Sequence, residues 1–177
     1  MLNTTDLKTY WLNAAIRNKA IGHVEGIKKH FSFFTPEEAL STIKNMCDPY
    51  LAVELPEVRL VDSNSDNIRS VFSGGILILK GADSTNYSKI QTAYDEMFII
   101  GRQLISKMLN DRKKANDNNI PLPEALLKHL DIQSISMVEV GPVFDNKYGW
   151  RINYQLNTPD NLDLDESKWT NETKWNF

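Results

Sequence analysis

The chain has 177 residues, 41% of them hydrophobic and 24% charged, with a formal net charge of -3. A domain of that length buries roughly two-thirds of its unfolded surface, which excludes any need for disulfide or metal staples. From Asn157 onward five acids face two lysines, leaving a neutral body that argues against sequence-independent nucleic-acid binding, where many Lys and Arg neutralise phosphates.

The amino-terminal stretch MLNTTDLKTYWLNAA has no basic region followed by an apolar run, so no secretory signal is expected. It reads instead as a first helix from Thr5 to about Val24. Thr4 or Thr5 caps it, Asp6 lies in its first turn, and Leu7, Tyr10, Trp11, Ala14, Ala15 and Asn18 share one face. Gly22 and Gly26 weaken its end. His23 and His30 follow with no carboxylate or third ligand at helical spacing, so they read as solvent-exposed or satisfied loop histidines and not as a metal site.

FFTPEEALSTIKNMC carries the clearest helix start: Thr35 as cap, Pro36 at the first helical position and Glu38 bonding back to the cap. The helix stops before Asp48-Pro49, because a proline disfavours the helical state in its predecessor. Cys47, the single cysteine, ends the apolar face and reads as core filler. Alone it forms no internal disulfide and suggests a reducing compartment.

Tyr50 to Asp62 predicts one strand, interrupted or bent at Pro56. Ile68 to Lys80 predicts a second, with Gly74-Gly75 inside it. The run Ile76 to Leu79 implies a strand covered on both faces. No apolar run approaches the ~20 residues of a membrane span. Gly75-ILIL-Lys80-Gly81 is no phosphate loop, since that motif needs Lys followed by Ser or Thr and no branched apolar residues in the cradle.

The longest periodic stretch is Tyr87 to Lys114. Ile90, Ala93, Tyr94, Met97, Phe98, Gly101, Leu104, Ile105 and Met108 recur at three- and four-residue spacing and predict one long helix with its apolar stripe on a sheet. Arg112, Lys113 and Lys114 read as a helix end favoured by the dipole. Asp95 and Glu96 diverge by about 100° and form no carboxylate pair. Glu124 to His129 reads as a short helix or turn.

Ser134 to Val140 and Gly149 to Leu156 predict a hairpin. Trp150, Ile152, Tyr154 and Leu156 face one way and Arg151, Asn153 and Gln155 the other. The connection GPVFDNKY is too long for a two-residue turn and carries Val143, Phe144 and Tyr148, either packed locally or set to touch a partner. The tail keeps Leu162, Leu164, Trp169, Trp175 and Phe177 among its acids, which suggests an arm that docks. The fold class is thus α+β: a mostly antiparallel sheet of about four strands, packed by a long amphipathic helix and N-terminal helices. The domain spans 1-156 and an acidic arm spans 157-177.

No nucleophile–base pair, HExxH, Cys-x-x-Cys or dinucleotide fingerprint is present, so catalytic, cofactor and metal residues are expected to be none. The order of helix, capped helix, two strands, long helix and hairpin resembles the tail-terminator and neck-ring (head–tail connector) structural proteins of tailed bacteriophages. The segment Gly141 to Leu156 also resembles the closing hairpin of phage and prophage reading frames. The resemblance implies a non-catalytic virion protein assembled in the host cytoplasm. It implies a homo-oligomeric ring, hexamer or dodecamer, with adjacent neck or tail proteins as partners, DNA only as passing cargo and no membrane. Its expected subunit contacts are Val143, Phe144, Tyr148, Leu162, Leu164, Trp169, Trp175 and Phe177. The alternative is a monomeric cytoplasmic adaptor or binding domain of phage or bacterial origin.

Overall fold

In the computed structural model of the chain, which describes residues 3–34, 46–62, 68–116, 123–144 and 146–159, the architecture is α+β, built on one mixed sheet. The first helix, α1 (Thr4–Arg17), is capped by Asn3, whose side chain accepts from the Asp6 N–H at 2.8 Å. It ends well before Gly22. The Asn18 carboxamide oxygen accepts from the N–H groups of Ala20 and Ile21, and this local turn competes with further helix. Leu7, Tyr10, Trp11, Ala14 and Ala15 form its buried face, as their spacing predicts.

The strands are β1 (Phe31–Phe34), β2 (Tyr50–Glu54), β3 (Glu57–Asp62), β4 (Ile68–Gly81), β5 (Leu130–Val143) and β6 (Lys147–Pro159). Their order is β1-β2-β4-β6-β5, with β3 also on β4. The expectation of about four mostly antiparallel strands is corrected to six among the described residues, of which β1 runs parallel to β2. Tyr50 to Asp62 does behave as one strand broken at Pro56. Val53 pairs with Ile76 and Glu57 with Ser73, so β2–β3 carries one residue more than β4 between these pairs, a bulge at the proline.

The long helix α2 (Tyr87–Ala115) is capped by Asn86, whose side chain accepts from the Lys89 N–H at 3.2 Å. Its buried residues include Ala93, Met97, Gly101, Leu104 and Met108. Gly101 lets the helix approach closely, since a Cβ there would meet Met137 Cε at 2.6 Å and Ile78 Cδ1 at 3.3 Å. A short 3-10 helix, Glu124–His129, tucks Leu126 and Leu127 into the core beyond the end of α2. Arg112 is drawn into this end and donates from Nε to the Leu130 carbonyl at 3.0 Å, while Lys113 and Lys114 are exposed.

One face of the sheet carries Leu51, Val53, Phe72, Ile76, Ile78, Ile152, Tyr154 and Leu156 against both helices. The other carries Phe34, Tyr50, Ala52, Leu77 and Leu79, with Met46, Val140, Val143 and Phe144 packed on them. The run Ile76 to Leu79 is therefore covered on both sides. The helix expected from Thr35 lies outside the described residues. Cys47 is exposed and no core filler: its N–H donates to the Lys29 carbonyl at 2.9 Å, leaving the thiol outward. His23 and His30 are buried and satisfied. The His30 N–H donates to His23 Nδ1 at 3.2 Å, and His30 Nδ1 lies 2.7 Å from the Pro49 carbonyl.

Candidate interaction surface

The hairpin β5–β6 and the first half of α2 build an open surface lined largely by aromatic and aliphatic side chains. The Trp150 indole donates to the Tyr94 carbonyl at 3.0 Å, which locks the strand beneath the helix. Phe98 tilts onto Trp150 with ring centroids 5.2 Å apart, and Tyr94 meets Tyr148 edge-on at 5.8 Å. Beside them opens a groove of about 470 Å³ lined by Tyr87, Ile90, Gln91, Tyr94, Asp95, Phe98, Glu139 and Trp150. Tyr87 is 80% exposed and Phe98 38%. Burial, and next the Glu139 carboxylate, push the Tyr94 phenol above its ordinary pKa.

The strand next to this groove, β5, is the last in the sheet. Among the described residues no strand lies beyond its outer side, and Ile132 and Val138 are about half exposed. Sequence reasoning placed Phe98 on the buried stripe. Its angular offset of about 60° from Gly101 was the signal that it sits on the flank of the helix, toward β5.

Three of the expected contact residues, Val143, Phe144 and Tyr148, lie among the described residues. Tyr148 is only 4% exposed, so of the two readings of this residue it is packed locally. Strand pairing continues through Val143↔Lys147, so the connection is the three residues 144–146, with Phe144 and Asn146 in the left-handed region. Val143 and Phe144 are half-buried against the second cluster. Leu162, Leu164, Trp169, Trp175 and Phe177 lie outside the described residues.

The polar face of β6 holds a second, smaller cavity of about 250 Å³, lined by Glu54, Ser73, Arg151 and Gln155 among others. Arg151 Nη2 reaches Glu54 Oε2 at 2.6 Å and Gln155 donates to Ser73 Oγ at 3.2 Å. A third groove of about 420 Å³ lies between α1 and α2. On its wall the buried Asp111 accepts from the Tyr10 hydroxyl at 3.0 Å and from Lys107 at 2.6 Å. Glu54 and Asp111 are thus tied to a cation or a hydroxyl, while Asp95 at the first groove accepts from the Gln91 carboxamide at 3.0 Å. Among the described residues no three His, Cys, Asp or Glu side chains stand close enough to hold a metal ion. No helix among them is long and apolar enough to cross a membrane.

No protein-family model, curated protein or solved structure matches the chain.

Proposed function

We propose that the chain is a non-catalytic structural subunit that assembles with copies of itself into a ring in the neck or tail of a tailed bacteriophage, as a tail terminator or head–tail connector. The observation that carries the reading is the aromatic groove of Tyr87, Phe98 and Trp150 beside the open β5 edge. An exposed apolar patch flanked by a strand whose outer edge has no partner among the described residues suits a protein partner. A head-to-tail contact through such a patch closes into a ring when its rotation closes. The order of α1, strands, α2 and closing hairpin supports the reading through its likeness to the layout of those ring proteins.

The assembled ring belongs to the virion and passes DNA as cargo. The neutral body agrees with a channel wall that does not grip phosphates. Substituting Phe98→Glu and Val138→Lys together places charges on both components of the contact. Native mass spectrometry of this double variant is expected to give monomer where the parent chain gives a ring; retention of the ring would reject this surface as the contact.

The same groove favours a second reading, a monomeric cytoplasmic adaptor. Glu139 and Asp95 at its rim suit a short apolar segment of another protein that carries a basic residue. A chain that stays monomeric at every concentration yet binds such a peptide would select it.

A further inference from the structure

A bulge turns two carboxylates to the same side of the sheet. Residues three apart on a regular strand fall on opposite faces. Between the pairs Val53↔Ile76 and Glu57↔Ser73, however, the β2–β3 side carries three residues and β4 only two. The extra residue at Pro56 resets the alternation, so Glu54 and Glu57 both stand on the face away from the helices. Asn153 lies opposite Gly75 and Gln155 opposite Ser73 on that same face. These side chains and Arg151 wall the cavity of about 250 Å³. That is below the roughly 300–1,000 Å³ of a drug-sized pocket, so its occupant is small.

The polar groups of the cavity are incompletely matched among the described residues. Glu54 is held by Arg151, whereas Glu57 is exposed and forms no ion pair with a described residue. Asn153 donates from its amide nitrogen to Ser136 Oγ at 3.1 Å, and Gln155 from its own to Ser73 Oγ at 3.2 Å. Neither carboxamide oxygen accepts from a described residue. Arg151 Nε is buried without an acceptor. Two carboxylates against one guanidinium leave the lining with one negative charge in excess.

A matching ligand brings a cation for Glu57, O–H donors for the two carboxamide oxygens and an acceptor for Arg151 Nε. That acceptor is a neutral oxygen, because an anion there would face Glu54. Tyr154 is the one aromatic in the lining, and its ring occupies the room that Gly74 leaves on the helix-bearing face. Recognition therefore rests on hydrogen bonds without stacking. We propose that this cavity binds a single-ring amino sugar. Its ammonium meets Glu57, its hydroxyls donate to Asn153 Oδ1 and Gln155 Oε1, and one of its oxygens accepts from Arg151 Nε. The site lies on the opposite face of the sheet from the aromatic groove, so its occupancy is measured separately from ring assembly.

The test titrates glucosamine into the full chain by calorimetry and follows the Arg151 Nε–H signal by NMR. Saturable one-to-one binding that shifts this signal is expected. Glucose lacks the charge and ethanolamine lacks the ring, and each should bind at least about tenfold more weakly, the loss of one charge-assisted hydrogen bond or its equivalent. Glu57→Gln, at an exposed position, should weaken glucosamine binding by a similar factor with unchanged circular dichroism. Glu139→Gln in the aromatic groove should leave it unaltered. No saturable binding, an unshifted Arg151 signal in the parent chain, or equal affinity for glucose or ethanolamine would overturn the proposal. Full affinity in Glu57→Gln, or an equal loss in Glu139→Gln, would also overturn it.

Discussion

Gly74 lies directly opposite Tyr154 in the β4–β6 ladder, so close that a Cβ on the glycine would come within 2.6 Å of the phenol Cζ and oxygen. Its neighbour Gly75 points to the other face, where a Cβ would strike the Glu54–Arg151 ion pair. The two glycines thus make room for an aromatic ring on one side of the sheet and a salt bridge on the other.

These two positions should respond differently to alanine. The Tyr154 ring is buried, packs against Trp11 at 5.8 Å, and its oxygen accepts from the Trp11 indole at 3.2 Å. Gly74→Ala is therefore expected to cost roughly 1–3 kcal/mol, the range for overpacking a core. Glu54 and Arg151 touch Gly75 only with the ends of partly exposed side chains. Loss of such a pair costs up to about 1 kcal/mol, and it is offset by the smaller conformational freedom of alanine in the unfolded chain. Urea denaturation of the two variants checks this; equal losses would contradict the account.

The Tyr10–Asp111–Lys107 cluster ties α1 to α2 across 101 residues of sequence. Tyr10→Phe keeps the packing and leaves Asp111 bonded to Lys107, so a loss of about 1 kcal/mol is expected. Asp111→Ala leaves both a buried hydroxyl and an ammonium without their acceptor. Its cost should be larger, roughly 2–3 kcal/mol, below the full range for a broken buried pair because Lys107 can reach water. Denaturant titration of both variants decides between this order and its reverse.

Three tyrosines resist ionisation. Burial raises Tyr10, Tyr50 and Tyr154 above the ordinary 10.0, and the Asp111 carboxylate adds to the effect at Tyr10. The folded chain holds these protons more tightly than the unfolded one. Their contribution is whole below about pH 10 and is lost as the pH rises above it. An ultraviolet phenolate titration should show these three of the six tyrosines ionising only as the fold opens. Reversible ionisation of all six in the native chain would contradict the placement.

Histidine acts at the other end of the scale. Burial lowers His23, with repulsion from His30 adding to it, and burial followed by the Lys128 charge lowers His129. Protonating His23 at Nδ1 would also remove the acceptor of the His30 N–H. Both groups take up protons less readily when folded. Their contribution is present above the ordinary 6.5 and falls as the pH drops below it toward the depressed values. His23→Gln keeps an acceptor without titrating. It should flatten part of the stability loss between about pH 7 and pH 5 in denaturant titrations; an unchanged slope would reject the assignment.

The parts legible in the sequence were those set by local pattern. The helix α2 followed from apolar spacing alone, and the inward set Trp150, Ile152, Tyr154 and Leu156 from strict alternation. Pro56 marked the break between β2 and β3 because proline lacks the donor a ladder needs. What escaped was set by distant partners. Nothing near Phe31–Phe34 announces a strand; it pairs with β2, about 20 residues onward. Asp111 reads as one more polar helix residue until Tyr10 is brought to it. The hairpin loop looked long because Gly141 and Pro142 suggest a turn, whereas the register shifts between Val140 and Val143 and the strand continues. The groove flank of Phe98 and Tyr87 is a matter of how far α2 rolls on the sheet, which packing against Met137 and Ile78 decides.

The proposed ring stands or falls on self-assembly through the Phe98–Trp150 groove and the β5 edge. Native mass spectrometry of the intact 20.3 kDa chain over a wide concentration range, paired with negative-stain imaging, tests it most directly. One discrete oligomer of six or twelve copies, seen as rings, is the expected result. A 20.3 kDa monomer at every concentration, with no rings in the images, would contradict it.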